Sequence, residues 1–332
     1  GGAPYSSWRS RHPNPCVADV WPGIVCEEDV DDPDVVHVTR LDFGYKPNPA
    51  CGPNATLPAS VTKLSWLKSL FIFGCFSDGG GRRPPNEVGL LVGYVSRLGP
   101  TMRSLSLRSN AGLVGEIPGE ALAAMSGLEL LGLSQNNLTG PVPAELGRLG
   151  RLQHLDLSGN FLSGELPAEL GGLESLVILD VSGNAGLTGP LPAEWGKLLH
   201  LQKLDISYNA IHGVIPEEIG GMSSLRFLAG SGNRINGPIP GSVANLRLLQ
   251  YFILDNNPVN STVPEFFVSS GSDSDGWSSL MALSMANAGL LGPIPDSLGR
   301  LGNLSVLSLQ GNQLSGAIPE GLGKLEHMYH MD

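Results

Sequence analysis

His154, Asp156 and Ser158 sit on alternate positions of one short stretch. They are the residue types of a nucleophilic hydrolase, in which a histidine takes the serine proton and a carboxylate orients the histidine. On a strand, alternate side chains point the same way, so the three would share one exposed face. Yet the Asp-x-Ser spacing returns at Asp180 and Ser182 and at Asp205 and Ser207 with no histidine beside it. A spacing imposed by a repeat is scaffold, and no catalytic residue is assigned. His327 and His330 have an i, i+3 spacing that a metal site can use, but the same repeat puts both at outward positions, so no metal is assigned. The run Gly79 to Arg83 (GGGRR) would suit an anion nest; it lacks the Lys-Ser/Thr of a phosphate loop and reads as loop. No cofactor is expected.

The four cysteines, Cys16, Cys26, Cys51 and Cys75, all lie toward the start of the chain. An even number confined to one end points to two disulfides and an oxidising compartment. The spacings lack the Cys-x-x-Cys pairs that zinc sites use. Four cysteines allow three pairings. Spacing around Trp21 and chain order favour Cys16–Cys26 and Cys51–Cys75, both bracing an N-terminal cap. Sequons at Asn54, Asn137, Asn260 and Asn303 point the same way, to a secreted and glycosylated chain. The formal net charge of -11 argues against nucleic acid or an anionic membrane as partner. No apolar run is long enough to span a bilayer, so a membrane enters only through an anchor outside this chain. The opening GGAPYSSWRS shows no signal peptide and reads as a processed start.

What positions these residues is a recurring phrase. LDLSGNFLSGELPAEL from Leu155 returns as LDVSGNAGLTGPLPAEW from Leu179 and as LDISYNAIHGVIPEEI from Leu204. Further copies start at Leu105, Leu131, Leu228, Phe252, Leu283 and Leu307, a period of about 24 residues, within the range of leucine-rich repeats. Leu41 and Leu70 start two degenerate copies before these. The alternate leucines of each copy face a core, and the residues between them face out. Seven asparagines (Asn110, Asn136, Asn160, Asn209, Asn233, Asn257 and Asn312) turn inward to satisfy backbone where the strand bends away. The Gly and Pro of LxGxIP turn the chain into a short helical stretch. No copy buries its leucines alone, so stacking makes the core and the ends need caps.

These features specify an α/β-type repeat, a right-handed leucine-rich-repeat solenoid with a disulfide-stapled N-terminal cap. Residues 1–45 form the cap, in which VVHVTRLDFG supplies an edge strand. Residues 46–104 hold the degenerate repeats with the second cysteine pair, and 105–332 the regular ones. The closing LEHMYHMD fits the start of a further copy, so the last repeat reads as truncated. Polar insertions break the period at SDGGGRRPPNE and FFVSSGSDSDGW.

One column of the strand face is acidic. Asp156, Asp180 and Asp205 hold the same position in successive copies, where a basic peptide side chain would sit across them. Beyond them the face turns aromatic and aliphatic, with Tyr208, Phe227, Tyr251 and Ile253, and Lys203 between. Aromatics are only 6% of the chain, so their clustering marks a contact surface.

The LxxLxLxxNxLxGxIP unit and the Trp-containing cysteine pair resemble the plant extracellular leucine-rich-repeat proteins, over almost the whole chain from about Asn14 to Asp332. Within these, WPGIVC, HVTRLDFG, CGPN, LKSLFIFGCF and MALSMANAGLLGPIP resemble the receptor-like group that includes TOO MANY MOUTHS and the Piriformospora-indica-insensitive proteins. The resemblance implies a kinase-less glycosylated ectodomain at the cell surface or in the apoplast. Such a protein works beside leucine-rich-repeat receptor kinases and helps them bind small secreted peptides. The alternative is an inhibitor of a secreted cell-wall hydrolase, like the polygalacturonase-inhibiting proteins. Those carry cysteines at both ends, whereas this chain has an extra N-terminal pair and none near its other end, which favours the receptor reading.

Overall fold

The computed structural model describes residues 14–16, 21–44, 46, 48–52, 55, 59–76, 86–87, 101–264 and 277–332. The sequon at Asn54, the GGGRR run at 79–83 and residues 265–276 of the second insertion lie outside them. The chain divides into two compact units, Gly1–Phe161 and Leu162–Asp332, both built from one kind of coil.

A coil begins with a three-residue strand whose central leucine points inward. In the second unit Leu204 and Ile206 are buried on one side of the strand Lys203–Asp205, while Lys203 and Asp205 stay half-buried on the other. Burying such a side chain stabilises the fold by roughly 1.5–3 kcal/mol, so the stacked leucines supply most of the driving force. A proline in extended conformation then opens a five-residue 3-10 turn, as Pro192 does for Ala193–Lys197 and Pro216 for Glu217–Gly221. The glycine inside the turn lets neighbouring turns touch backbone to backbone. A Cβ on Gly196 would stand 2.1 Å from the Glu218 carbonyl oxygen, and one on Gly220 2.3 Å from that of Ser242. Among the described residues one such segment, Gly119–Ala123, is an α-helix.

In the first unit, strands Ser69–Phe73, Ser104–Arg108, Leu130–Gly132 and His154–Asp156 follow Val36–Phe43 in parallel register. In the second unit the parallel order is Ile178–Asp180, Lys203–Asp205, Phe227–Ala229, Tyr251–Ile253, Ala282–Ser284, Val306–Ser308 and His330–Met331. The pairing of Leu41 with Leu70 and of Leu70 with Leu105 places the two degenerate copies in line with the regular ones. Trp277 returns the chain to the core after the second insertion. Its ring lies 4.9 Å from Phe252 and its Nε1 donates to the Val243 carbonyl at 2.9 Å.

The cap differs from expectation in one respect. VVHVTRLDFG forms Val36–Phe43, which is an inner strand: Ile24–Glu28 folds back antiparallel along its other side. Cys26 lies on that added strand and bonds Cys16, so the staple fixes the strand that covers the sheet. Cys51 bonds Cys75. Each bridge adds roughly 2–4 kcal/mol to its end of the chain. At the hairpin tip the Asp29 carboxyl is held below its usual range, first by the backbone N–H of Asp31 and then by His37 Nε2, 2.8 Å away. His37 in turn stacks on Trp66 at 4.4 Å. Glu27 is likewise lowered by the hydrogen bond from Lys68.

The inward asparagines are the joints between coils. Asn233 Oδ1 accepts from the Ile211 N–H at 3.0 Å, while its Nδ2 donates to the carbonyls of Ile206 at 2.9 Å and Gly230 at 3.1 Å. Asn257 repeats the arrangement with Ile235, Gly230 and Leu254. Asn184, at the same place in its coil, is also buried and joins the seven read from the sequence.

Two predictions follow from these contacts. Asn233→Ala leaves one buried N–H and two carbonyls without this partner, at about 1–3 kcal/mol each. Urea unfolding followed by circular dichroism is expected to show a loss of about 3 kcal/mol or more; a loss below about 1 would refute the role. At the cap, a carboxyl with a lowered folded pKa contributes stability that is present at neutral pH and lost as pH falls through the folded value. The melting-temperature advantage of the wild type over Asp29→Asn is therefore expected to hold at neutral pH, to begin shrinking only below the ordinary aspartate value of about 4, and to disappear as pH falls through the lower folded value; an advantage that does not shrink below about pH 4 would contradict it.

Candidate functional site

The acidic residues of the strand face have structural work of their own. Asp156 Oδ1 accepts from the Ser158 N–H at 3.2 Å and from its hydroxyl at 2.7 Å. Asp180 does the same with Ser182, at 3.1 and 2.6 Å, and Asp205 with the Ser207 N–H at 3.1 Å. A short side-chain acceptor that closes its own backbone two residues on is a local turn. It explains why Asp-x-Ser recurs. It also answers the triad question: the Ser158 hydroxyl donates to Asp156 and not to His154. His330 Nε2 lies 2.8 Å from Asp332 Oδ2. Among the described residues no group of three or more His, Cys, Asp or Glu is arranged to hold a metal ion.

The second carboxylate oxygen of each aspartate faces a base. In the first unit Arg108 reaches over the face. Its Nε donates to the Ser134 hydroxyl at 2.8 Å, and its Nη2 lies 3.6 Å from Asp156 Oδ2. It crosses the strand of Gly132, where a Cβ would stand 3.7 Å from Arg108 Cδ, an ordinary contact, and 3.0 Å from Ser106 Oγ. In the second unit Lys203 Nζ lies 2.7 Å from Asp180 Oδ2 and 3.7 Å from Asp205 Oδ2. The place that the sequence reading gives to an incoming basic side chain is thus held by Lys203 itself. Part-exposed pairs of this kind contribute at most about 1 kcal/mol each, but they leave the acidic column largely compensated.

Lys203 also opens the aromatic part of the face. Its Nζ is 5.5 Å from the centre of the Phe227 ring, within cation–π range. The Phe227 and Tyr251 rings follow at 5.7 Å, tilted by 44°. Register sets this order, because Lys203 pairs with Phe227 and Phe227 with Tyr251 on adjacent parallel strands. In the next outward column Asp205 pairs with Ala229 and Ala229 with Ile253, so the face loses charge in the same direction. Lys203, Phe227, Tyr251 and Ile253 are all half-buried.

Tyr208 stands apart from that row and is 66% exposed. Its backbone is left-handed, with φ 57°. The corresponding positions in the second unit are Gly183, Gly232, Asn256, Asn287 and Gly311, residues that adopt this conformation readily. A side chain with Cβ there costs roughly 1–2 kcal/mol. The signal was present in the sequence as SYN where neighbouring copies read SGN. Arg108 gave a similar signal, an arginine in the serine position of the repeat.

Of the sequons in the described residues, Asn260 and Asn303 are exposed and Asn137 is half-buried. Asn303 Nδ2 donates to the Ser278 carbonyl and Asn137 Nδ2 to that of Ala111. No helix among the described residues is long and apolar enough to cross a membrane.

Family models for the leucine-rich repeat match residues 100–162, 174–235 and 303–325. Receptor like protein 29 of Arabidopsis thaliana is 42% identical over 130 residues, which are 39% of this chain and 26% of that protein. Protein TOO MANY MOUTHS of Arabidopsis thaliana is 36% identical over 120 residues, 35% of this chain and 22% of that one. The match thus spans only about a quarter of the length of these relatives. Among solved structures, the ectodomain of the Arabidopsis thaliana receptor kinase GASSHO1/SCHENGEN3, in complex with CASPARIAN STRIP INTEGRITY FACTOR 2, superposes with a TM-score of 0.79 at 29% identity. That match covers 99% of this chain and 41% of the receptor. The Arabidopsis receptor kinase HAESA, in complex with the peptide hormone IDA and the co-receptor SERK1, gives 0.67 at 27% identity, covering 95% and 51%. With the coil geometry above, these matches give the chain leucine-rich repeats stacked as in plant receptor-kinase ectodomains, and a stretch of 120–130 residues homologous to two plant receptor-like proteins.

Proposed function

We propose that the chain is a non-catalytic recognition ectodomain at the plant cell surface or in the apoplast. It binds a small secreted peptide on the strand face, together with or on behalf of a leucine-rich-repeat receptor kinase. The observation that carries this reading is the Lys203–Phe227–Tyr251 row, three large side chains in strict register on an outward face. The complex of the receptor kinase HAESA with the peptide hormone IDA supports the class of ligand. Phe227, Tyr251, Ile253 and Tyr208 act as apolar anchors. Asp180 and Asp205, already facing Lys203, add a weaker charge term for a basic group on the peptide, and Asp156, facing Arg108 in the first unit, is the same kind of group there. Glycans on Asn54, Asn137, Asn260 and Asn303 belong to the same secretory reading.

The competing function, inhibition of a cell-wall polygalacturonase, uses the same repeat and would be seen directly as lost hydrolase activity on mixing. For the receptor reading, a purified peptide or receptor-kinase partner is titrated against variants. Truncating a well-packed aromatic anchor costs about 2 kcal/mol or more, and a rim charge less than about 1. Phe227→Ala and Tyr251→Ala are therefore expected to weaken binding about tenfold or more with the fold intact. Asp180→Asn is expected to weaken it less, by an amount that shrinks in high salt. Wild-type affinity in all three variants would move the site off this face.

A further inference from the structure

Tyr208 is the residue that the fold explains least. The ring is mostly exposed, so burial returns little for its left-handed backbone. Its phenol oxygen makes no hydrogen bond to a described residue. The other side chains at this position of the coil are accounted for. Ser109 donates to Gln135 at 2.5 Å in the first unit, and Asn287 donates to Asn256 at 3.1 Å in the second. Glycine fills most of the rest.

Tyr208 has instead a seat. A Cβ added to Gly232, at the same position of the following coil, would stand 2.8 Å from Tyr208 Cδ1 and 3.2 Å from Cε1. The ring therefore lies against the Gly232 backbone, and glycine at 232 is what admits it. Its N–H donates to the Ser231 carbonyl at 2.6 Å, which ties the residue to the same coil. The ring is thus presented toward solvent from the Gly232 backbone as an exposed aromatic plate.

The plate lies against the coil that carries the first anchor. Tyr208 follows the strand Lys203–Asp205, which pairs with Phe227–Ala229, and Gly232, on which the ring rests, follows Phe227 along that next coil. The strand of Phe227 pairs in turn with that of Tyr251. The charges near them, Lys203 with Asp180 and Asp205, are mutually compensated. A left-handed residue whose side chain is mostly exposed and makes no hydrogen bond to a described residue points to a role outside the fold.

Resting on the reading of this face as a peptide site, we propose that Tyr208 sets its specificity. The Tyr208 ring, seated on Gly232, stacks on one aromatic or proline side chain of the bound peptide. That contact separates true ligands from other peptides able to use Phe227 and Tyr251 alone. Both side-chain types present a flat apolar face to the ring, and neither needs a charge that Lys203 or Asp205 would have to supply.

The test uses the secreted, glycosylated chain and peptides selected on it from a random phage-displayed library. Melting temperature and peptide affinity are then measured for Tyr208→Asn, Tyr208→Phe and Tyr251→Ala. Asparagine already holds this position in two other coils of the second unit, at Asn256 and Asn287, so Tyr208→Asn is expected to melt at or above the wild-type temperature. Selected peptides are expected to share an aromatic residue or proline, to lose about tenfold or more in affinity on Tyr208→Asn, and to keep it on Tyr208→Phe. Three results overturn the proposal. A clear fall in the melting temperature of Tyr208→Asn would make the ring structural. Wild-type affinity in Tyr208→Asn alongside a loss in Tyr251→Ala would remove Tyr208 and leave the face as the peptide site. Wild-type affinity in both, or no enriched peptide, would overturn the peptide reading together with this inference.

Discussion

The buried asparagine amide sets the geometry on which everything else rests. Each strand ends by turning its backbone into a dry interior, where an N–H or carbonyl without a partner is costly. One amide has both the donors and the acceptor to meet that need. Asn209 does so by accepting from the Asn184 N–H at 2.9 Å and donating to the carbonyls of Val181 and Ile206 at 3.1 and 2.8 Å. Because its partners lie in the preceding coil as well as its own, the same group closes the turn and fixes the step from coil to coil. Strand register follows, and with it the identity of the residues that stand side by side on the outward face.

That register turns a linear pattern into a surface. The Asp-x-Ser turn explains the acidic column as a strand-ending device. Lys203 balances Asp180 on the neighbouring strand and Asp205 on its own, and Arg108 reaches across the strand Leu130–Gly132 to Asp156. What remains distinctive is apolar: Phe227 and Tyr251 in contact, Ile253 beside them and Tyr208 beyond. Recognition by such a face depends chiefly on a few packed side chains, with charge tuning the rate and the order of encounter.

Much of this was legible in the sequence, for physical reasons. The leucine period, the inward asparagines and the LxGxIP turn repeat because every coil meets the same packing problem, so their positions on the strand face could be read directly. The cysteine pairing followed from order and spacing. Side-chain reach was less visible. Nothing in the spelling of Lys203 says that it spans Asp180 and Asp205, because that depends on rotamer and sheet geometry. The cap strand Ile24–Glu28 was also missed, since its IVCEE carries no leucine pattern and is fixed by an antiparallel partner and a disulfide. Asn184 departs from the aligned pattern although its phrase, VSGN, matches its neighbours, because an inserted residue after it shifts the following leucine by one place.

The aromatic face of the second unit is the centre of this interpretation, and light-induced crosslinking addresses it in the tissue where the chain is secreted. A photoreactive benzoylphenylalanine replaces Tyr251 in one sample and Glu194, exposed on the 3-10 turn Ala193–Lys197, in another. Recognition on the strand face predicts a peptide-sized adduct from position 251 and none from position 194. Adducts from position 194, with position 251 unlabelled, would place recognition on the turn side of the coils and contradict it.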